Sequence, residues 1–206
     1  MNGLIVKDLC NLRGSIMVIV VMAAAFAVLF SWETLGGMIL LSAMMMSSLI
    51  NGSFSFDQNC GWNQHAVSIG ITRVSIVRSK FVSGTVFVIC GIVLGVVVAA
   101  ACGIASGRCV DPYGIASSAV LSLGVGLVAS SVICAVNYHV SPQWAHTAST
   151  FCTAVCVAGS IIVCNVMAEL FPDISVVMSL IMVLIGAAVC ALMYVLSQRR
   201  FAHTDL

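Results

Sequence analysis

The stretch FVSGTVFVICGIVLGVVVAAACGIAS, residues 81–106, decides the fold class of this protein. It contains no charged side chain, and it is longer than the run of about 20 apolar residues that a helix needs to cross a bilayer. Of all residues in the chain, 61% are hydrophobic and only 7% are charged, whereas soluble domains carry about 25% charged residues. The sequence therefore predicts a membrane protein built of spanning helices.

Six segments of the chain have this apolar character. They are Gly14–Ser31, Leu35–Phe54, Phe81–Ser106, Tyr113–Asn137, Ala145–Glu169 and Ile174–Ser197. We expect one all-α transmembrane domain over residues 1–206, with six spans. The first segment follows two basic residues, as a secretory signal would, but it is longer than a usual signal core and no clear cleavage site follows it. We interpret it as a retained span.

The basic residues predict the orientation of these spans. Six spans place both termini on one side of the membrane, and seven of the eight Lys and Arg residues fall on that side, with Arg108 as the exception. The seven are Lys7, Arg13, Arg73, Arg78, Lys80, Arg199 and Arg200. Because Lys and Arg are enriched on the cytoplasmic side, we expect cytoplasmic termini in the plasma membrane, with basic side chains that extend to the headgroups.

Residues 1–13 form a leader before the first span. Leu4, Ile5, Leu9 and Leu12 fall near one face at helical spacing. This pattern favours a short helix that lies in the membrane interface. A frayed leader is the alternative.

The predicted membrane interior contains none of the groups that ion-coupled carriers use. Every Asp, Glu, Lys and Arg between Gly14 and Ser197 falls in a loop or at a span end, and no Pro interrupts a span. The two glycine pairs Gly91–Gly95 and Gly124–Gly126 favour close packing of helices instead. An ion-coupled carrier or an intramembrane enzyme is therefore disfavoured.

Motifs of soluble enzymes are also missing. A phosphate-binding P-loop needs a Lys followed by Ser or Thr, but Lys7 precedes Asp8 and Lys80 precedes Phe81. We expect no catalytic residue in this chain, so that any ATP hydrolysis belongs to another chain. The net charge is +1 and no basic stripe is present, so a nucleic-acid partner is not expected.

The ten cysteines lie mostly in apolar runs, where they act as small apolar side chains. Cys152 and Cys156 share a helix face, but two thiolates alone make a poor metal site, and we predict no bound metal. The sequence leaves open whether Cys102 and Cys109 form a disulfide.

One long polar stretch, residues 54–80, lies between the second and third spans. Trp62, Ala66 and Ile69 recur at i, i+4 and i+7, which predicts a short amphipathic helix between Gly61 and Gly70. Its apolar face needs either the membrane surface or a groove in a partner protein to pack on. Thr72 is placed to cap a new helix that leads into the third span.

This stretch resembles the cytoplasmic loop of the small six-span permeases of the ABC-type-2 transporter family. The opening GLIVKDL is also similar to the family leader, in which Lys7, Asp8 and Leu9 fall on matching positions. Gln58 stands where the family often has Glu, and Gly70 stands where it often has Pro. The matching loop positions are Phe54, Phe56, Asp57, Trp62, Ala66, Ser68, Ile71, Thr72, Arg73, Ile76, Val77, Ser79, Lys80 and Phe81.

The resemblance implies that the loop helix is a coupling helix, which docks on a separate ABC ATPase subunit that binds ATP and Mg²⁺. It implies an exporter whose path is formed with a second permease chain, identical or a sibling. The docking positions would be Asp57, Trp62, His65, Ala66, Ile69, Thr72 and Arg73. The topology would be held by Lys7, Arg13, Arg78, Lys80, Arg199 and Arg200. The alternative is a non-transporting membrane sensor, immunity or assembly protein, and the substrate stays open.

Overall fold

The computed structural model describes residues 2–29, 35–107, 112–170 and 175–202. Within these ranges the chain forms nine α-helices and no strand, which agrees with the all-α prediction. The helices are α1 (Asn2–Asn11), α2 (Arg13–Leu29), α3 (Leu35–Ser47), α4 (Leu49–Asn59), α5 (Trp62–Ser68), α6 (Arg73–Ala105), α7 (Pro112–His139), α8 (Pro142–Leu170) and α9 (Ser175–Ala202). Arg108 and Cys109 lie outside the described residues, and so does any pairing of Cys109 with Cys102.

Four stretches of the described helices are long and apolar enough to cross a membrane. They are Gly36–Asn59, Arg73–Ala105, Pro112–His139 and Val177–Phe201. They correspond to the second, third, fourth and sixth predicted spans. Helices α2 and α8 occupy the first and fifth positions, where the described apolar helical stretches are shorter, Arg13–Met22 and Thr147–Cys156. The presence of six membrane spans therefore stays a prediction.

The outer surface of the helices suits a lipid environment. Val18 on α2, Val97 on α6 and Leu184 on α9 are large apolar side chains that are more than half exposed. Exposed large apolar side chains also occur on α3 and α8, for example Leu41 and Phe151, and so many of them are unusual for a soluble protein. This finding and the four long apolar helices indicate a multi-pass membrane protein.

Glycines bring two pairs of helices into close contact. A Cβ atom at Gly91 would lie 2.8 Å from the Cα of Ala43, and one at Gly95 would lie 2.7 Å from the Cα of Ile39, so α6 packs backbone to backbone on α3. A Cβ at Gly124 on α7 would lie 2.5 Å from the carbonyl carbon of Met182 on α9. The prediction that the glycine pairs allow close helix packing is confirmed.

The second span is interrupted at Ser48, between α3 and α4. The Ser48 hydroxyl donates to the Met45 carbonyl oxygen at 2.6 Å, and the Ser47 hydroxyl donates to that of Met44 at 2.9 Å. The amide of Asn51 then donates to Ser48 O at 3.0 Å, three residues back, rather than four. Serine bonds to the preceding turn bend helices, which explains a break at this place.

A large apolar core lies at the end of the bundle that carries α5, called the loop end below. It joins Leu12, Phe54, Ala66, Val77 and Phe201 with further buried side chains. These residues come from α4, α5, α6 and α9 and from the junction between α1 and α2. The loop end is therefore a packed part of the domain, in which α5 takes part.

Candidate functional site

Helix α5 is bounded by two glycines whose conformations are difficult for other residues. Gly61 precedes it with φ at +60°, and Gly70 follows it with φ at +86°. The amide of Ile71 donates to Ala66 O at 3.0 Å, and the amide of Gly70 donates to Val67 O at 3.1 Å. This pair of bonds is a Schellman motif, which needs a left-handed residue at the Gly70 position. The glycine that departs from the family pattern is therefore required by the turn in this chain.

The predicted apolar face of α5 divides between the core and the solvent. Ala66 is fully buried in the loop-end core, and Trp62 packs partly against it. Ile69, the third member of that face, is 58% exposed, and His65 is exposed as well. The sequence predicted a membrane or partner surface as the packing site of this face, but the helix mainly uses the domain's own core. Ala66 is thus a core residue.

Four charged side chains meet beside α5, and we call them the charged cluster: Lys7, Asp8, Asp57 and Lys80. The Lys7 ammonium lies 2.5 Å from Asp57 Oδ1 and 3.6 Å from Asp8 Oδ1. The Lys80 ammonium lies 2.6 Å from Asp57 Oδ2 and 3.0 Å from Asp8 Oδ1. Lys7 is 19% exposed, and the other three are only 2–3% exposed. Two cations and two anions make the cluster neutral.

Hydroxyl groups complete the bonding of the charged cluster. Lys80 also donates to the Ser53 hydroxyl, so its three N–H donors face Asp8, Asp57 and Ser53. The Ser83 hydroxyl donates to Asp8 Oδ2 at 3.2 Å. Burial of charge is tolerated when each group is paired, and every group of the cluster has a partner of opposite charge. Asp57 Oδ2 is held by the ion pair with Lys80 at 2.6 Å but accepts no hydrogen bond. The charged cluster links α1, α4 and α6.

Lys7 also connects the charged cluster to the helix of the loop. Its ammonium lies 4.4 Å from the centroid of the Trp62 ring, within the range of a cation–π contact. The Trp62 ring in turn lies 5.9 Å from the His65 ring. The beginning of α5 is therefore fixed by a side chain from α1.

Two predicted docking residues point into the domain. Asp57, expected in a polar loop, lies on α4 and is buried with both carboxylate oxygens paired to lysines. Arg73 is half-buried, and its Nη1 donates to the carbonyl oxygen of Phe201 at 3.3 Å, near the end of α9. Their contacts connect the loop to α1 and α9. The charge of Asp57 is therefore turned inward rather than toward a partner, whereas the docking role of Arg73 stays a prediction.

Aromatic rings continue this connection across the loop end. The Tyr138 ring lies 5.1 Å from that of Phe54 and 5.3 Å from that of Phe201, both in edge-to-face arrangements. The rings of Phe81 and Tyr194 lie 5.5 Å apart. These contacts join the four helices α4, α6, α7 and α9 at the loop end, where α5 is attached.

Of the six basic residues predicted to hold the topology, four are exposed and two are not, and the side of the membrane on which they lie stays a prediction. Arg13, Arg78, Arg199 and Arg200 are exposed. Lys80 does not extend to the headgroups as expected, because its ammonium is held inside by two carboxylates and a hydroxyl. Lys7 likewise turns toward Asp57. The helix α6 begins at Arg73, with the Thr72 hydroxyl accepting from the Ser75 amide as predicted, so Lys80 lies two turns inside it.

Asp8 is the site residue that the sequence did not assign. Its carboxylate bonds to Lys80 and Ser83, far along the chain. The feature of the sequence that could have indicated a role for Asp8 is the pair of opposite charges Lys7-Asp8 near the start of an otherwise apolar chain. Nothing in that pair shows which later residues it would meet.

An open cleft of about 570 Å³ lies between α1 and α5. Its lining consists of Gly3, Leu4, Lys7, Trp62, Ile71, Thr72 and Ser75. Apart from Lys7, these residues are uncharged. The cleft lies directly beside the exposed side of the charged cluster.

A comparison with protein families identifies the class of this chain. Residues 3–202 match the family model described as ABC-2 family transporter protein. The chain belongs to the ABC-2 transporter family. No curated protein and no solved structure matches it. An ABC-2 chain of this kind is a membrane component of a transporter, and the four long apolar helices agree with that role.

Proposed function

We propose that this chain is the permease subunit of an ABC exporter, driven by a separate ATPase subunit that binds ATP and Mg²⁺. The match to the ABC-2 family over residues 3–202 is the observation that carries the proposal. In this arrangement α2 and α8 are the first and fifth of six spans, and both termini are cytoplasmic. A second permease chain, identical or a sibling, completes the path, and the outward direction follows the family resemblance.

In this proposal α5 is the coupling helix. The outward side of α5 and of the turn that follows it presents His65, Ile69 and Thr72, and Trp62 is also partly exposed. A partly exposed Trp is among the residue types that often dominate protein interfaces, and the exposed Ile69 adds apolar surface to the same segment. The side of the loop that faces the domain is held by contacts of Asp57, Ala66 and Arg73, which fix the position of α5. The remaining predicted docking surface is thus smaller than the sequence indicated.

The contacts of α5 provide a route for movement into the membrane helices. Ala66 transmits force to the loop-end core, and the Trp62–Lys7 contact transmits it to α1. The charged cluster joins α1 to α4 and α6, and the Arg73 bond joins the beginning of α6 to α9. A displacement of α5 by the ATPase would therefore reach four helices at once.

The geometry of Asp8 and Asp57 supports an ATP-driven mechanism over an ion-coupled one. A carboxylate that carries a proton or Na⁺ must be able to exchange it. Both carboxylates here are paired with lysine ammonium groups at 2.5–3.0 Å. This pairing suits a structural connection better than an exchange site.

Replacing Ile69 with Glu is expected to weaken ATPase binding by at least about tenfold, because a charge would be placed at the centre of the proposed interface. Ile69 is 58% exposed, so the fold has no need of this side chain. Ile104→Glu is the matched control, since Ile104 is exposed near the far end of α6. Binding is measured by co-purification of the ATPase with each tagged variant. Equal recovery with both variants would show that α5 is not the docking helix.

The first test of the function itself is purification of the wild-type chain from its native cells in mild detergent. We expect a stoichiometric partner that contains a P-loop and hydrolyses ATP. A preparation of the chain alone, also after cross-linking, would contradict the permease proposal. It would favour the reading as a sensor, immunity or assembly protein.

A further inference from the structure

We propose that the loop end has a second arrangement, in which the Tyr138 hydroxyl on α7 donates a hydrogen bond to the Asp57 carboxylate on α4. This inference rests on the proposed function and extends it, because the bond forms when the ATPase acts and is absent from the arrangement that the structure shows. Tyr138 is then a positioning residue of the transport cycle, and α4 is the helix that moves.

The starting observation is a group of buried polar atoms without hydrogen-bond partners. Among the described residues, they are Oδ2 of Asp57, the hydroxyl of Tyr138 and the hydroxyl of Ser197. Helices α4, α7 and α9 contribute one atom each, all toward the loop end. A buried polar atom without a partner lowers stability, and the large majority of such atoms in folded proteins are paired. Their occurrence together indicates that this part of the domain exchanges its contacts during function.

The chemistry of Tyr138 and Asp57 is complementary. A phenol can donate a hydrogen bond, whereas an ionised carboxylate only accepts and has about four positions to do so. Oδ2 of Asp57 therefore has room for a second partner beside the Lys80 ammonium at 2.6 Å. The Tyr138 ring already lies 5.1 Å from the ring of Phe54, three residues before Asp57 on α4. Residues three apart share a helix face, so Asp57 lies on the side of α4 that α7 contacts.

Ser197 is a less suitable partner for Tyr138, because α7 and α9 are fixed to each other. A Cβ atom at Gly124 would lie 2.5 Å from the carbonyl carbon of Met182, so the two backbones are in direct contact. The separation of Tyr138 from Ser197 has little freedom to change. A serine in a helix can also turn its hydroxyl to a carbonyl of the preceding turn, which a tyrosine cannot do. The partner of Tyr138 must therefore come from a helix that moves.

Helix α4 has a point about which it can turn. It begins after the break at Ser48, where the amide of Asn51 bonds three residues back instead of four. A local tightening of this kind inside a span often marks a hinge. Before the break, α3 is held on α6 by the backbone contacts of Gly91 and Gly95. The part of the second span that can change its position is therefore α4.

The contacts between α4 and α7 are formed by side chains that can rearrange. The Asn137 side-chain amide donates to Oδ1 of Asn51 at 3.0 Å, and the rings of Phe54 and Tyr138 meet edge to face. Neither contact joins two backbones, so α4 can turn without separating closely packed helices. A turn about the break that moves Asp57 toward Tyr138 satisfies two buried polar atoms at once.

The test is Tyr138→Phe, which keeps the ring and removes the hydroxyl. In the purified chain alone, this variant is expected to unfold at the wild-type temperature or above it, because it loses a donor that has no partner. In the complex with the ATPase, trapped with Mg-ATP and orthovanadate, the chain is expected to unfold about 2–4 °C below the wild type, the shift that one hydrogen bond produces. ATP turnover of the complex is expected to fall about fivefold.

Tyr194→Phe is the matched control. The Tyr194 hydroxyl accepts a hydrogen bond from Nε2 of Gln198 at 2.8 Å, and its ring packs on Phe81. Its removal is expected to lower the unfolding temperature equally in the free chain and in the trapped complex. A difference between the two states is thus expected for Tyr138→Phe and not for Tyr194→Phe.

The identity of the acceptor is tested in an Asp57→Asn background. If Asp57 is the partner of Tyr138, the effect of Tyr138→Phe on the trapped complex becomes smaller there, because the two substitutions act on one bond. An equal effect in both backgrounds would exclude Asp57 and overturn the proposal.

The remaining outcomes separate this inference from the function on which it rests. If Tyr138→Phe already unfolds below the wild type in the free chain, the hydroxyl has its partner at rest and the proposal is wrong. If the complex forms and hydrolyses ATP but Tyr138→Phe behaves as the wild type in both states, the permease function stands and the second arrangement is wrong. If the wild-type chain has no ATPase partner, both are wrong.

Discussion

Replacing Lys80 with Met lowers the free energy of unfolding by about 3–5 kcal/mol, the expected cost of removing one member of a buried ion pair. Without Lys80, the carboxylates of Asp8 and Asp57 keep only the ammonium of Lys7, and the buried cluster acquires a net negative charge. The Ser53 hydroxyl also loses its donor. The measurement is thermal unfolding of the purified chain in detergent, followed by tryptophan fluorescence.

Arg78→Met is the control for this prediction. Arg78 lies on the same helix, loses the same charge and is exposed, so its replacement is expected to change the unfolding temperature little. The double variant with Lys80→Met and Asp8→Asn leaves a neutral Lys7–Asp57 pair and is expected to recover part of the loss. If Lys80→Met and Arg78→Met unfold at the same temperature, the charged cluster does not hold the loop end together.

Replacing Gly124 with Ala is also expected to have a large effect. It is expected to lower the free energy of unfolding by about 1–3 kcal/mol or more, because it disturbs the contact between α7 and α9. The added Cβ would lie 2.5 Å from the carbonyl carbon and oxygen of Met182 and 2.8 Å from the amide nitrogen of Val183. These are backbone atoms, so no side-chain rotation can relieve the contact. The two helices would have to separate along their contact, with loss of packing on both sides. Thermal unfolding measures the change.

Gly159→Ala is the control, and it is expected to change the free energy of unfolding in the opposite direction. Gly159 lies within α8, and a Cβ there would meet no atom within 4 Å. Alanine is favoured over glycine in helices by about 0.5–1 kcal/mol, so this variant is expected to be as stable as the wild type or slightly more stable. Equal destabilisation by both substitutions would mean that helix propensity or insertion, rather than the α7–α9 contact, determines the effect of Gly124→Ala.

The two predictions concern different parts of the proposed mechanism. The glycine contacts hold α3 on α6 and α7 on α9 through backbone packing along the spans. The charged cluster and Arg73 hold α1, α4, α6 and α9 together at the loop end. If α5 is the coupling helix, force enters through the second set of contacts. Variants of the charged cluster are then expected to impair transport even when the chain is inserted into the membrane in normal amounts.

Local patterns in the sequence predicted much of the architecture. The charge-free run around Phe87 predicts a spanning helix because unpaired polar groups are too costly in lipid. The spacing of Trp62 and Ala66 with glycines at both sides predicted α5, and Thr72 predicted the beginning of α6. These inferences depend on interactions between residues that are close in the chain, so composition and periodicity suffice for them.

The sequence by itself determined a helical membrane protein of the ABC-2 type with a short helix between two spans. Only the tertiary structure decided what that helix and its neighbours contact. The pairing of Lys80 with Asp8 spans 72 positions in the chain, and that of Lys7 with Asp57 spans 50. A charge near a span end looks the same in sequence whether it reaches the headgroups or a buried partner. The difference arises from which helices pack together, and the close glycine contacts and the loop-end core fix that choice.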